Sequence, residues 1–245
     1  MLTSARSLVA ATLLAGATFA AAPAMAQDAP ASDITLTGNA AIVSEYRFRG
    51  VDLSGGDIAV QGGIDAAHSS GFYVGTWGSS LDEDTVGYGH TELDIYAGWA
   101  GEVASGVTAN VGVIQYLYPN AGPGDFDYTE LYAKGSFAIG PASTTVGVAY
   151  APKQDSLGGT DNLYLYTDLG LGIPNTPLSL TAHLGYTDGF LTYTADGDAF
   201  DYSIGAKLAL NEKLALGVSY VAADGAAAPY DFVDDAVVGT LSVAF

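Results

Sequence analysis

From Ile34 to its last residue the chain divides into twelve segments of period-two alternation, joined by connections that are long and short in turn. That period sets successive side chains on opposite faces of an extended strand. The segments begin near Ile34, Asp57, Phe72, Thr91, Val107, Tyr128, Ser143, Asp161, Leu178, Phe200, Leu214 and Asp234. The short connections, Ser69–Gly71, Ala104–Gly106, Gly140–Ala142, Gly172–Pro177 and Asn211–Lys213, carry turn residues. The long ones are Tyr46–Gly56, Leu81–His90, Pro119–Asp127, Pro152–Thr160, Asp188–Ala199 and Ala222–Val233. Antiparallel strands with both chain ends on the short-turn side give this alternation. A soluble sandwich has no reason to sort its loops by length, whereas a membrane barrel does.

The two faces of the segments differ in kind. Leu178, Leu180, Ala182, Leu184 and Tyr186 oppose Ser179, Thr181, His183, Gly185 and Thr187. Phe200, Tyr202, Ile204, Ala206 and Leu208 oppose Asp201, Ser203, Gly205 and Lys207. In a barrel the apolar set faces lipid and the small polar set faces the lumen. The fifth segment loses its phase at Gln115, which points to a bulge somewhere along it. No segment holds a 3.6-residue period long enough for a helix. The expected fold is all-β: a transmembrane antiparallel β-barrel of about twelve strands, with about 10 or about 14 as alternatives. The last segment, Val237–Phe245, would be an exposed apolar edge in a soluble protein. In a barrel it pairs with the segment at Ile34 and closes the wall. Its final Phe245 resembles the C-terminal assembly signal of bacterial outer-membrane barrels, which implies barrel-assembly machinery as a partner.

Residues 1–26 read as a cleavable secretory signal, with Arg6, the apolar run Leu8–Ala20 and the small-x-small site Ala24-Met25-Ala26. The run falls short of the ~20 residues a helical span needs. Residues 27–33 read as a short periplasmic linker and 34–245 as one barrel domain. There is no Cys, which suits a wall closed by hydrogen bonds between strands. All 27 acids follow the signal, against Arg47, Arg49, Lys134, Lys153, Lys207 and Lys213. This balance excludes nucleic acid and polybasic attachment to anionic lipid. The 32 Gly and 16 Tyr suit a barrel wall with aromatic girdles.

No nucleophile elbow, zinc-protease helix, P-loop or dinucleotide fingerprint occurs, so no enzyme and no cofactor are expected. His68, His90 and His183 are far apart in sequence. A hydrolase built into the wall would need His183 beside Ser179. Glu45, Arg47 and Arg49 share one phase, Tyr46 and Phe48 the other. The charged set is expected at the outer mouth of the lumen, either contacting anionic solutes or neutralising neighbouring carboxylates. The remaining expected pore-lining residues are Asp65, Glu92, Asp94, Glu130, Lys134, Asp168, His183, Asp201 and Lys207. Acids outnumber bases among them, and Arg47 and Arg49 leave ion selectivity open. The inward glycines, Gly63, Gly98, Gly185, Gly205 and Gly217, argue for open space. No long plug loop is legible, and the oligomeric state is open. The acidic loops, such as Asp82-Glu83-Asp84, lack the spaced ligands of a calcium loop, so no metal site is expected. Divalent bridging to lipopolysaccharide is compatible with them.

Several ordered motifs over residues 34–134 resemble the TorF family of porin-like proteins. They are Glu45-Tyr46-Arg47-Phe48-Arg49-Gly50, Gln61-Gly62-Gly63-Ile64-Asp65, Gly71–Ser79, Glu92–Gly98, Tyr116-Leu117-Tyr118-Pro119 and Asp127–Tyr132. The resemblance implies an outer-membrane barrel forming a pore. The expected role is passive diffusion of small hydrophilic solutes in a Gram-negative outer membrane. A non-conducting barrel acting as receptor, adhesin or structural protein is the alternative, and a membrane-embedded hydrolase the third reading.

Overall fold

The computed structural model describes residues 33–192, 194, 197–224 and 233–245. The expected signal (1–26) and nearly all of the 27–33 linker lie outside the described residues, as do Asp196 and positions 225–232. The elements are β1 (Ile34–Val43), the short β2 (Arg47–Phe48) and β3 (Val51–Asp52), β4 (Ala59–His68), β5 (Phe72–Ser80), β6 (Thr91–Ala104) and β7 (Val107–Leu117). They continue with β8 (Tyr128–Ile139), β9 (Ala142–Gln154), β10 (Thr160–Gly172), β11 (Leu178–Gly189), β12 (Asp198–Ala209), β13 (Leu214–Asp224) and β14 (Ala236–Ala244). Strands β2 and β3 form a hairpin of their own, and the other twelve close one antiparallel barrel. No α-helix occurs among the described residues. Each barrel strand starts within two residues of its expected position.

The wall closes as the terminal segment requires. Strand β14 pairs antiparallel with β1, from Asn39 opposite Ala244 to Val43 opposite Thr240. The Gly38 N–H donates to the Phe245 carbonyl at 2.8 Å, and the Phe245 N–H donates back at 2.9 Å. The Phe245 ring covers Gly38, where an added Cβ would lie 2.6 Å from the ring. Glycine at 38 is thus the bed for the terminal aromatic.

Burial runs opposite to that of a soluble protein. Leu36, Val60, Ile64 and Ile204 are exposed on the outer wall, whereas Glu92, Asp94, Glu130 and Asp201 are buried inside. Ladder bonds satisfy the backbone all round, so side chains alone decide what each face meets. Two aromatic belts border the apolar band. Tyr150, Tyr186, Phe200, Tyr202 and Tyr220 lie toward the long loops; Phe72, Trp99, Phe137 and Phe245 lie toward the short turns. In the first belt Tyr150 donates to Asp161 (2.9 Å), Tyr186 to Asp198 (3.1 Å) and Tyr220 to Asp235.

One expectation fails here. There is no bulge near Gln115: β7 pairs with β8 without interruption from Val107 to Tyr116. Ile114 and Tyr116 turn inward, and Gln115 stays outside, where it accepts a hydrogen bond from Thr129 on the next strand. A cross-strand polar pair explains the apparent break in phase. The register shift of β7 with its other neighbour, β6, lies at the short turn, between Glu102 and Ala104 of β6.

Candidate functional site: the barrel interior

The first long connection, L1 (residues 44–58), folds into the barrel instead of extending from it. Tyr46, Phe48, Val51, Asp52, Leu53 and Ser54 are all buried. Local bonds fix its shape. The Asp52 carboxylate accepts the N–H groups of Ser54 (2.8 Å) and Gly56 (2.6 Å), and Ser54 Oγ accepts the N–H of Tyr46 (2.8 Å). At the tip Arg49 (φ 51°) and Gly50 (φ 80°) turn the chain through the left-handed region. A Cβ on residue 50 would sit 2.6 Å from Ala223 Cβ on β13, so the tip touches that wall as only glycine can. From the same tip Arg49 reaches the far wall at β8. L1 therefore crosses the lumen, and the expectation of no plug loop is overturned. So is the opposition of its two phases: Tyr46 and Phe48 are inside along with the charged set. A hairpin, unlike a strand in the wall, can bury both of its faces.

Arg49 anchors the crossing. Its guanidinium makes a bidentate pair with Glu130 (3.0 and 2.8 Å), with side-chain exposures of 2% and 0%. Tyr116 donates to the same carboxylate at 3.1 Å, and the Tyr164 ring lies 4.2 Å beneath the guanidinium carbon. Burial alone would pull the Arg49 pKa down; the Glu130 carboxylate outweighs it, and the net shift is upward. Arg47 pairs with Glu45 and also donates to the backbone carbonyls of Gly50 (3.1 Å) and Asp234 (2.6 Å). Burial raises the Glu45 pKa, with Arg47 opposing. Tyr46 donates to Glu92 at 3.0 Å and packs edge-on against Trp77.

Tyrosines fill one side of the interior. Tyr73, Tyr96, Tyr116, Tyr128, Tyr132, Tyr164 and Tyr166 point inward from β5 to β8 and from β10. Several lie over a glycine of the next strand: an added Cβ at Gly147 would meet Tyr166 at 2.2 Å, and one at Gly98 would meet Tyr73 at 2.5 Å. The hydroxyls are bonded, Tyr73 to Asn110 (2.6 Å) and Tyr132, and Tyr96 to Asp65 (2.7 Å). Strands β11 to β14, β1 and β4 send no Phe, Trp or Tyr inward. Thr181, Ser203, Gly205, Gly217, Ser219 and Thr240 line the wall there, with only small groups near the two glycines. Inward glycine thus leaves room for a methyl at Gly217, where Thr240 Cβ is 3.5 Å away, but not at Gly205, where the Val218 carbonyl would lie at 2.9 Å, and it is a bed for a ring at Gly98.

His183 joins three strands. Its Nδ1 bonds Asp168 on β10 (2.6 Å) and its Nε2 bonds Asp201 on β12 (2.9 Å), with the Tyr164 hydroxyl 2.8 Å from Nε2. Two nitrogens each facing a carboxylate suit a doubly protonated ring. Ser179 is four residues away along the strand, about 13 Å, so the base–nucleophile contact of a wall hydrolase is not formed. His68 and His90 bond Ser70 and Thr91, at the short-turn and long-loop ends. The structure gathers the expected residues into three groups: Glu45 with Arg47; Arg49 with Glu130, beside Glu92 and Asp94; and His183 with Asp168 and Asp201. Asp65 joins Tyr96, while Lys134 and Lys207 point inward from β8 and β12. Sequence reading missed Asp52, which shapes L1; its Asp-x-Ser-Gly-Gly run was the available signal.

A family model described as a bacterial protein of unknown function (Gcw_chp) matches residues 27–245; it does not carry the TorF name. Comparison with curated proteins gave no match. Among solved structures, the NanC porin is similar with a TM-score of 0.57 at 9% identity, over 86% of this chain and 98% of that one. The KdgM porin, solved in complex with disordered oligogalacturonate, is similar with a TM-score of 0.57 at 7% identity, over the same shares. At such identities the likeness is one of fold.

Proposed function

Because the chain belongs to the Gcw_chp family of bacterial proteins, whose description assigns no activity, the barrel must supply the functional reading, and we propose a narrow outer-membrane channel for passive diffusion of small hydrophilic solutes. One observation carries the reading: an apolar outer band encloses a polar interior whose side from β11 to β1 is lined by small groups apart from a few larger side chains such as His183, Asp201 and Lys207, and by no Phe, Trp or Tyr. The route runs along that side, past L1. Glu92 Oε2, Asp94 Oδ1 and Asp201 Oδ2 have no protein partner among the described residues. Buried carboxylate oxygens of this kind need water, which supports a hydrated lumen. The likeness of fold to two porins points the same way.

The rest of the reading follows. Residues 1–26 export the chain and are removed, 27–33 link it on the periplasmic side, and 34–245 insert as one barrel through the assembly machinery, with Phe245 as its signal. Lipid and lipopolysaccharide surround the wall. The pore-lining residues are those grouped above, and no catalysis is assigned, since His183 faces carboxylates and a tyrosine. The oligogalacturonate in the KdgM complex is an anionic chain, a poor match for an interior this acidic.

A second reading, a non-conducting barrel, draws on L1 and the tyrosine layer crossing the lumen. Planar-bilayer recordings separate the two. The protein of residues 27–245 should conduct weakly, and a variant with 47–57 replaced by a short Gly-Ser linker should conduct several-fold more. Silence from both proteins leaves the non-conducting barrel.

A further inference from the structure

Building on the channel reading, we infer that the path prefers cations and excludes acidic sugars and other polyanions. The sequence left this open because Arg47 and Arg49 stand near the mouth. The structure removes both from contention. Arg49 is paired bidentately with Glu130, stacked on Tyr164 and only 2% exposed, and Arg47 is tied to Glu45 and two backbone carbonyls. Neither guanidinium is presented to a passing anion.

Fixed charge around the long-loop opening acts in the same direction. Glu83, Asp84, Asp125, Asp127, Asp155 and Asp188 are exposed there, and Lys153 is the one exposed lysine among the described residues on that side. Low-dielectric walls concentrate such a field at an opening, enriching cations and depleting anions. At ~0.1 M salt the Debye length of about 10 Å lets the loop charges act across a narrow opening; at ~1 M it shrinks to about 3 Å. Inside, Asp65 adds negative charge, while the protonated His183 is held between Asp168 and Asp201 and so is not presented to a passing anion. Lys134 lies within reach of Asp168, and Lys207 stands toward the short-turn end of β12, far from the entrance.

Reversal potentials in a KCl gradient test this. The expected permeability ratio of K⁺ over Cl⁻ is at least about twofold near 0.1 M and falls toward one near 1 M. The combined variant Glu83→Gln, Asp84→Asn and Asp125→Asn changes only exposed loop side chains and should lower the ratio at low salt. A ratio below one overturns the inference and leaves the channel standing. An unchanged ratio in the variant overturns the assignment to the loop field. Silence from both the intact protein and the L1-replaced form removes the channel reading and this inference with it.

Discussion

Arg49 holds a left-handed backbone that costs a non-glycine residue about 1–2 kcal/mol. It persists because surrounding contacts over-determine it: a bidentate carboxylate, two aromatic faces and the neighbouring tip against β13. Removing one partner of a buried pair strands the other charge. Arg49→Met should therefore cost about 3–5 kcal/mol, read from the urea midpoint of the refolded barrel. The double variant Arg49→Met with Glu130→Gln should regain most of the loss. A single variant as stable as the parent would mean that the pair does not secure L1. The interior glycines allow a sharper contrast. Gly147→Ala drives a methyl into Tyr166 and should cost about 1–3 kcal/mol by overpacking. Gly217→Ala meets Thr240 at 3.5 Å and should be near neutral in the same assay.

At the level of elements, β14 and L1 do opposite things to the barrel. Strand β14 removes an edge: it gives β1 its second neighbour, and its last ring covers Gly38. Deleting Phe245 should slow folding into liposomes, followed by the heat-dependent shift in electrophoretic mobility. Conductance of the fraction that does fold should match the parent. Equal folding rates would strip Phe245 of its role in closure. L1, by contrast, adds nothing to the wall and spends its apolar and charged groups on the lumen. Asp52 and Ser54 satisfy the turn from within, and L1 lends no strand to the barrel, so replacing 47–57 should leave every strand pair closed.

For the whole molecule the decisive property is the inversion of burial. Ile204 and Ser203 are neighbours on β12 that face opposite ways. If lipid surrounds the wall, Ile204→Lys should cost about 2–4 kcal/mol near mid-membrane, while Ser203→Lys should be borne by the polar interior. Folding efficiency in liposomes measures both, and equal penalties would contradict a lipid-facing exterior. The lumen is also lopsided. Tyrosine rings and ion pairs stiffen the side from β5 to β10, and the other side, with no Phe, Trp or Tyr turned inward, is more thinly filled. A lumen built this way is narrowed by packing of one wall and not by strand number alone.

Much of this was written in the chain. Period-two alternation and sorted loop lengths fix twelve strands, their faces and the closure of β14 on β1, because a strand's two faces and its turn chemistry are local properties. The inward direction of Asp65, Glu92, Asp94, Glu130, His183 and Asp201 was legible for the same reason. Tertiary structure alone decided what those groups meet. Glu130 is 81 positions from Arg49, and nothing local signals that L1 turns inward to join them. Gln115 looked like a break in phase because its partner, Thr129, lies on another strand. Gly98 and Gly217 look alike in sequence and differ only in whether a neighbouring strand lays a tyrosine across them. The sequence by itself determined the wall. How its filling is distributed, and so where the lumen is left open, rests on contacts across it between residues that no local pattern connects.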